Sequence, residues 1–146
     1  LVIGWTKEVA KTGPMVKKIR QMKITDPAHY RLFLEESREA VEELIESFHN
    51  KDLRQALQSV AKNRAALKKL GDKAGESIET VALSKLIEIA NRYGSGKSSG
   101  AGGGDCGIAF LADVSSRERL VREWRKAGIE PLPLKVSTQG AEAVLQ

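Results

Sequence analysis

Between Gly94 and Gly107, seven of fourteen residues are glycine: Gly94, Gly96, Gly100, Gly102, Gly103, Gly104 and Gly107. No helix survives such a run, because each glycine costs about 1 kcal/mol against alanine in a helix interior. The chain must therefore fold as patterned segments on either side of it. Upstream, Leu1 to Trp5 is an apolar run that reads as a strand. Thr12-Gly13-Pro14 opens a helix with Met15, Val16, Ile19 and Met22 at helical spacing. Thr25-Asp26-Pro27 opens a second, a side-chain cap followed by proline at the first helical position, with Phe33, Val41, Leu44, Ile45 and Phe48 expected inside. Asn50 is expected to cap a third helix, with Leu53, Leu57, Val60, Leu67 and Leu70 inside and Gly71 near its end. After a polar connector from Gly71 to Gly75, Ile78, Val81, Leu86, Ile89 and Tyr93 mark a fourth helix.

Downstream, Ile108 to Ala112 reads as a strand. Ser115 and Glu118 have capping-box spacing ahead of Leu120, Val121 and Trp124, and Gly128 stops that helix. Ile129 to Val136 reads as an edge strand, since Pro131 and Pro133 cannot donate to a ladder, and the last residues are expected to fray. The order predicts one α+β domain over residues 1–146, a small, mainly antiparallel sheet with helices on one face. A short strand around Lys97 would complete a hairpin with Ile108 to Ala112. Trp5 is expected in the core.

At 41% hydrophobic and 29% charged, the chain can bury a core and is not disordered. It holds no apolar run long enough for a membrane span or for the core of a signal peptide, so no membrane partner is expected. One cysteine, Cys106, excludes an internal disulfide and favours a reducing, cytoplasmic compartment. The net charge of +5 is segmented. Lys7, Lys11, Lys17, Lys18, Arg20 and Lys23 precede Glu35, Glu36, Glu39, Glu42, Glu43 and Glu46, the pattern of solvated helix faces. No aromatic residue lies among the basic ones to stack a base, and no nucleic-acid partner is expected. His29 and His49 read as surface residues, and no Cys, His or Asp cluster has metal-ligand spacing.

The glycine run is where chemistry can sit. Gly96-Lys97-Ser98 invites a P-loop reading, but Asn91 stands where that motif needs glycine, and a helix precedes and a strand follows. Glycines that accept positive φ can instead turn successive backbone N–H groups toward one anion. Lys97 adds charge, and Ser98 and Ser99 add hydroxyls. The alternative is a flexible linker. The anion loop is favoured because the run leads directly into a strand and carries Lys97, Asp105 and Cys106 at fixed places. Cys106 reads as a small packing residue at the start of that strand. Asp105 is expected to tie the turn through its side chain, with influence on a bound Mg²⁺ as its alternative role. Thr6 and Lys7, where the first strand ends, are candidates to line an acceptor site.

Lys97-Ser98-Ser99-Gly100-Ala101-Gly102-Gly103-Gly104-Asp105-Cys106 closely resembles the third signature motif of the GHMP small-molecule kinases, which lies in their C-terminal domain. The commoner form has glycine in place of Asp105. The Asp105-Cys106-Gly107 ending, together with Gly4-Trp5-Thr6, is most similar to the bacterial phosphomevalonate kinase branch, and the resemblance spans nearly the whole chain. It implies a ferredoxin-like C-terminal domain and Lys97 to Asp105 as phosphate- or substrate-binding residues. It also implies ATP and Mg²⁺ as cofactors, and transfer of the γ-phosphoryl group to a small phosphorylated substrate, phosphomevalonate. Nothing here matches the family's ATP-phosphate motif of Pro-x-x-x-Gly-Leu-Gly-Ser-Ser type. That motif and the acceptor-activating residues are expected in an N-terminal kinase domain of a longer chain, so no catalytic residue is assigned here and these 146 residues alone are expected to be inactive. The alternatives are the C-terminal domain of another kinase of the superfamily (mevalonate, homoserine or sugar) and a non-enzymatic helical binding module. On this reading, Gly103→Val should reduce turnover and leave thermal stability nearly unchanged.

Overall fold

A computed structural model describes residues 1–137, 139 and 140. Among them are five α-helices and four strands: β1 (Val2–Trp5), α1 (Thr12–Thr25), α2 (Pro27–Asn50), α3 (Leu53–Ala74), α4 (Val81–Ala90), β2 (Gly94–Ser98), β3 (Cys106–Leu111), α5 (Arg117–Lys126) and β4 (Glu130–Leu132). The sheet order is β2-β3-β1-β4 with every neighbouring pair antiparallel. The α+β class and the hairpin strand around Lys97 are as expected. β4 is an edge strand but spans only Glu130–Leu132, shorter than the expected Ile129 to Val136. The expected fraying of the final residues lies outside the described residues.

Helices α4 and α5 cover one face of the sheet, on which strand alternation places Gly4, Gly94, Gly96 and Gly107 among Val2, Ala109 and Leu111. Gly4 pairs with Gly107 across β1 and β3. A Cβ at Gly107 would stand 2.5 Å from the Leu86 side chain, and one at Gly4 3.0 Å from the Trp124 ring. The missing side chains let the helices settle onto the sheet, where Val2, Leu86, Ile87, Ala90, Ala109, Leu120 and Trp124 form the core. Trp124 is fully buried, and its indole N–H donates to the Leu86 carbonyl at 3.0 Å, which satisfies its one polar atom.

Strand alternation corrects the expectation for Trp5. Residues paired across a sheet share a face, so Ile3, Trp5, Ile108 and Lys97 point away from α4 and α5, and Trp5 is 40% exposed. Helix α2 departs further from its pattern. It packs on α3 through Ala40 and Ser47, leaving Val41, Ile45 and Phe48 exposed. Leu53 and Val81 are exposed too, being at the first turns of α3 and α4.

Several caps also differ. Helix α2 runs through Asn50 and ends where Lys51 turns left-handed at φ +56, and it is Asp52 that caps α3 by accepting the Gln55 N–H at 2.9 Å. Helix α3 passes through Gly71 and stops at Gly75, φ +65. Gly71 stays helical because the returning chain packs on it, with Glu76 N–H donating to its carbonyl at 2.8 Å. Before α5, Asp113 accepts the Ser115 N–H at 3.0 Å and Val114–Ser116 forms a 3-10 turn, so Ser115 and Glu118 do not form the expected box.

Candidate functional site

The glycine run divides in two. Gly94 to Ser98 is strand β2, and the loop proper is Ser99 to Asp105. Both loop ends are clasped by backbone. Ser99 N–H donates to the Cys106 carbonyl at 2.9 Å, extending the hairpin. At the other end Thr6 donates twice to the Asp105 carbonyl, through its N–H and its hydroxyl, each at 2.8 Å. Asp105 N–H returns the tie to the Glu8 carbonyl at 2.8 Å. In the middle, Gly103 N–H donates to the Ile78 carbonyl at 2.8 Å. The loop is therefore an ordered arch pinned at three places, a geometry at odds with a linker.

Left-handed backbone makes that arch. Gly102 and Gly103 sit at φ +83 and +80, conformations that side chains disfavour. A Cβ at Gly102 would collide with the Ile78 carbonyl, and one at Gly103 would stand 2.6 Å from the Met15 sulfur. The loop therefore belongs to the packed body of the chain, and a valine at Gly103 would disturb it directly. This corrects the expectation of nearly unchanged thermal stability. Gly100 differs: a Cβ there meets nothing within 4 Å.

The amides of Gly100, Ala101, Gly102 and Gly104 have no protein acceptor among the described residues. Four unpaired backbone donors thus fall within five consecutive residues, on exposed Gly100 and Ala101 and on buried Gly102 and Gly104. Ser98 is buried and its hydroxyl donates to the Gly100 carbonyl at 3.2 Å, shaping the turn rather than projecting from it. Ser99 is exposed at the mouth. Lys97 lies one strand residue earlier, paired with Ile108, and its ammonium donates to the Ser98 carbonyl at 3.1 Å. Burial pushes its pKa down.

Asp105 takes φ +55, and its backbone does the tying expected of its side chain, which is exposed. Cys106 begins β3 half-buried. Desolvation first, and then the neighbouring Asp105 charge, push its thiol pKa up, the opposite of a nucleophile's requirement. Thr6 is buried as a loop clasp, and Lys7 turns aside at φ +65 to pair with Glu130 at 3.8 Å.

Three supports escaped the sequence pattern: Glu8, Ile78 and Thr80. Thr80 caps α4 through the Leu83 N–H at 3.3 Å and donates its hydroxyl to the Glu8 carboxylate at 2.5 Å. The Thr80 cap was legible ahead of an apolar run, but a backbone carbonyl such as that of Ile78 leaves no mark in side-chain spacing. Beside the loop, Glu8, Lys11, Met15, Ser77, Thr80 and Gly103 line an open cleft of ≈ 430 Å³. Among the described residues no three His, Cys, Asp or Glu side chains converge on a metal position.

The family model described as GHMP kinases C terminal matches residues 30–130. A phosphomevalonate kinase of Streptomyces sp. is 34% identical over 143 residues, covering 96% of this chain and 38% of that protein. A Listeria innocua protein of known structure is 44% identical with TM-score 0.87, over 90% of this chain and 38% of that one. The Streptococcus pneumoniae phosphomevalonate kinase, solved with phosphomevalonate and AMPPNP, is 36% identical with TM-score 0.78, over 90% of this chain and 37% of that one. This chain thus spans well under half the length of the relatives it matches. With its fold, its arched glycine loop and these likenesses in agreement, the chain belongs to the GHMP kinase C-terminal family.

Proposed function

We propose that this chain is the C-terminal domain of a cytoplasmic phosphomevalonate kinase and that the Ser99 to Asp105 arch binds phosphate at its active site. The carrying observation is the set of free amides at Gly100, Ala101, Gly102 and Gly104 on a backbone held open by Thr6, Glu8 and Ile78. Prearranged backbone donors stabilise phosphoryl charge without reorganising during reaction. Ser99 offers a hydroxyl at the rim, and Lys97 contributes positive charge from the adjoining strand. A clasped loop also speaks against a mere hinge, the premise of the binding-module alternative.

The other half of the site comes from an N-terminal kinase domain, which supplies the acceptor-activating groups and most of the ATP contacts. In the reaction, an oxygen of the acceptor phosphate attacks the γ-phosphorus of ATP. The bond from that phosphorus to the β–γ bridging oxygen breaks, giving diphosphomevalonate and ADP. Mg²⁺, which is commonly held by one or two carboxylates together with nucleotide phosphates, would neutralise charge on the ATP phosphates beside the arch.

A panel of acceptors offered to the intact protein tests the reading. ADP release should be fast with phosphomevalonate and at background with mevalonate, homoserine and galactose. Preference for one of the unphosphorylated acceptors would move the chain to another branch of the superfamily.

A further inference from the structure

Helix α2 has two apolar flanks and uses one. Against α3 it buries Ala40 and Ser47, bordered by ion pairs of Glu43 with Lys62 at 2.5 Å and Glu36 with Lys69 at 2.7 Å. On the other flank Leu34, Val41, Ile45 and Phe48 are 47%, 45%, 51% and 59% exposed. With Arg38 they recur at alternating intervals of four and three residues, the rhythm of a two-helix seam. A helix flank that faces only water in the intact protein has no need of that rhythm.

We propose that this stripe is a self-association surface, on which α2 packs antiparallel against α2 of a second copy about a twofold axis at Val41. The stripe is complementary to its own reversal, the condition for a twofold interface. Reversal sets Phe48 beside Leu34 of the second copy and Val41 on its own counterpart. Arg38, the one charge inside the stripe, then lies two residues, about 3 Å along the axis, from Glu42 of the second copy. Within one helix Arg38 and Glu42 already stand 4.0 Å apart, with side chains 73% and 69% exposed and free to reach across. A parallel pairing would stack Arg38 on Arg38 and repel. One helix pair of this length falls at the small end of specific interfaces, below about 1,200 Å² in total, so the association is weak and concentration-dependent.

Sedimentation equilibrium of the intact protein from micromolar to millimolar concentration should show a monomer–dimer equilibrium. Ile45→Glu should abolish it and leave the thermal melt unchanged, since Ile45 is already half exposed. Arg38→Glu and Glu42→Arg should each weaken the dimer about tenfold, by setting like charges together across the axis. An equal mixture of those two variants should regain wild-type association, because the reversed charge at 38 in one faces the reversed charge at 42 in the other. A monomer at every concentration, a dimer that survives Ile45→Glu, or a mixture no stronger than its components would overturn the proposal.

Discussion

Gly102 and Gly104 carry different demands from Gly100, although all three fall in one glycine-rich stretch. Gly102 and Gly104 have φ of +83 and +135, and both are walled by backbone, from Ile78 and from Glu8 to Ala10 respectively. Gly102→Ala should therefore lower stability by about 2 kcal/mol or more, from left-handed strain and displacement of the Ile78 strap. A calorimetric melt of the chain checks this, with Tm expected to fall by roughly 5 °C. The sequence marked the loop but could not sort its glycines, because the sorting depends on segments far away in the chain. The cap of α3 shows a similar limit. Asn50 and Asp52 are equally good capping residues, and the choice falls to Asp52 only because Lys51 accepts a left-handed turn.

Among the elements, the segment between α3 and α4 has more to do than connect. It supplies the Ile78 carbonyl that holds Gly103, and it is fixed to α3 by Arg64. The guanidinium Nε and Nη2 donate to the two Glu79 oxygens at 2.6 and 2.8 Å, and the Glu79 side chain is only 5% exposed. That fork raises the pKa of Arg64 against the opposing cost of burial. Arg64→Ala would leave a nearly buried carboxylate without its partner, at a cost of about 2 kcal/mol after discounting the fuller burial penalty for the part-exposed arginine. Equilibrium urea unfolding should show that loss, with Glu79→Gln less damaging because an amide needs no counter-charge. Helical periodicity located the elements themselves well. It failed on the buried face of α2, because the helix has two apolar flanks and a hydrophobic pattern alone cannot tell which of them meets α3.

Across the whole molecule, a sheet covered on one face by α4 and α5 holds the β2–β3 hairpin, and the hairpin holds the Ser99 to Asp105 arch at its tip. The edge position of the last strand was legible from Pro131 and Pro133, and the β2–β3 hairpin from a glycine-rich loop leading directly into a strand. The clasp by Thr6 and Glu8 was not, since it joins residues almost a hundred positions apart, two of its three bonds running from backbone to backbone. The arch alone provides donors and no acceptor-activating group, so the proposed activity needs the N-terminal domain. ATP, Mg²⁺ and phosphomevalonate supplied to these 146 residues should release ADP only at background in a coupled assay.

The central claim, that the arch binds phosphate through its backbone, is tested most directly at Gly100. A Cβ there meets no protein atom within 4 Å, so a side chain obstructs only what approaches from outside. The measurement is kcat and KM of the intact protein carrying Gly100→Val, set beside its thermal melt. The expected result is an unchanged Tm with kcat/KM reduced by about 10² or more, comparable to loss of an oxyanion-type donor. Wild-type kinetics in a variant that melts normally would contradict it.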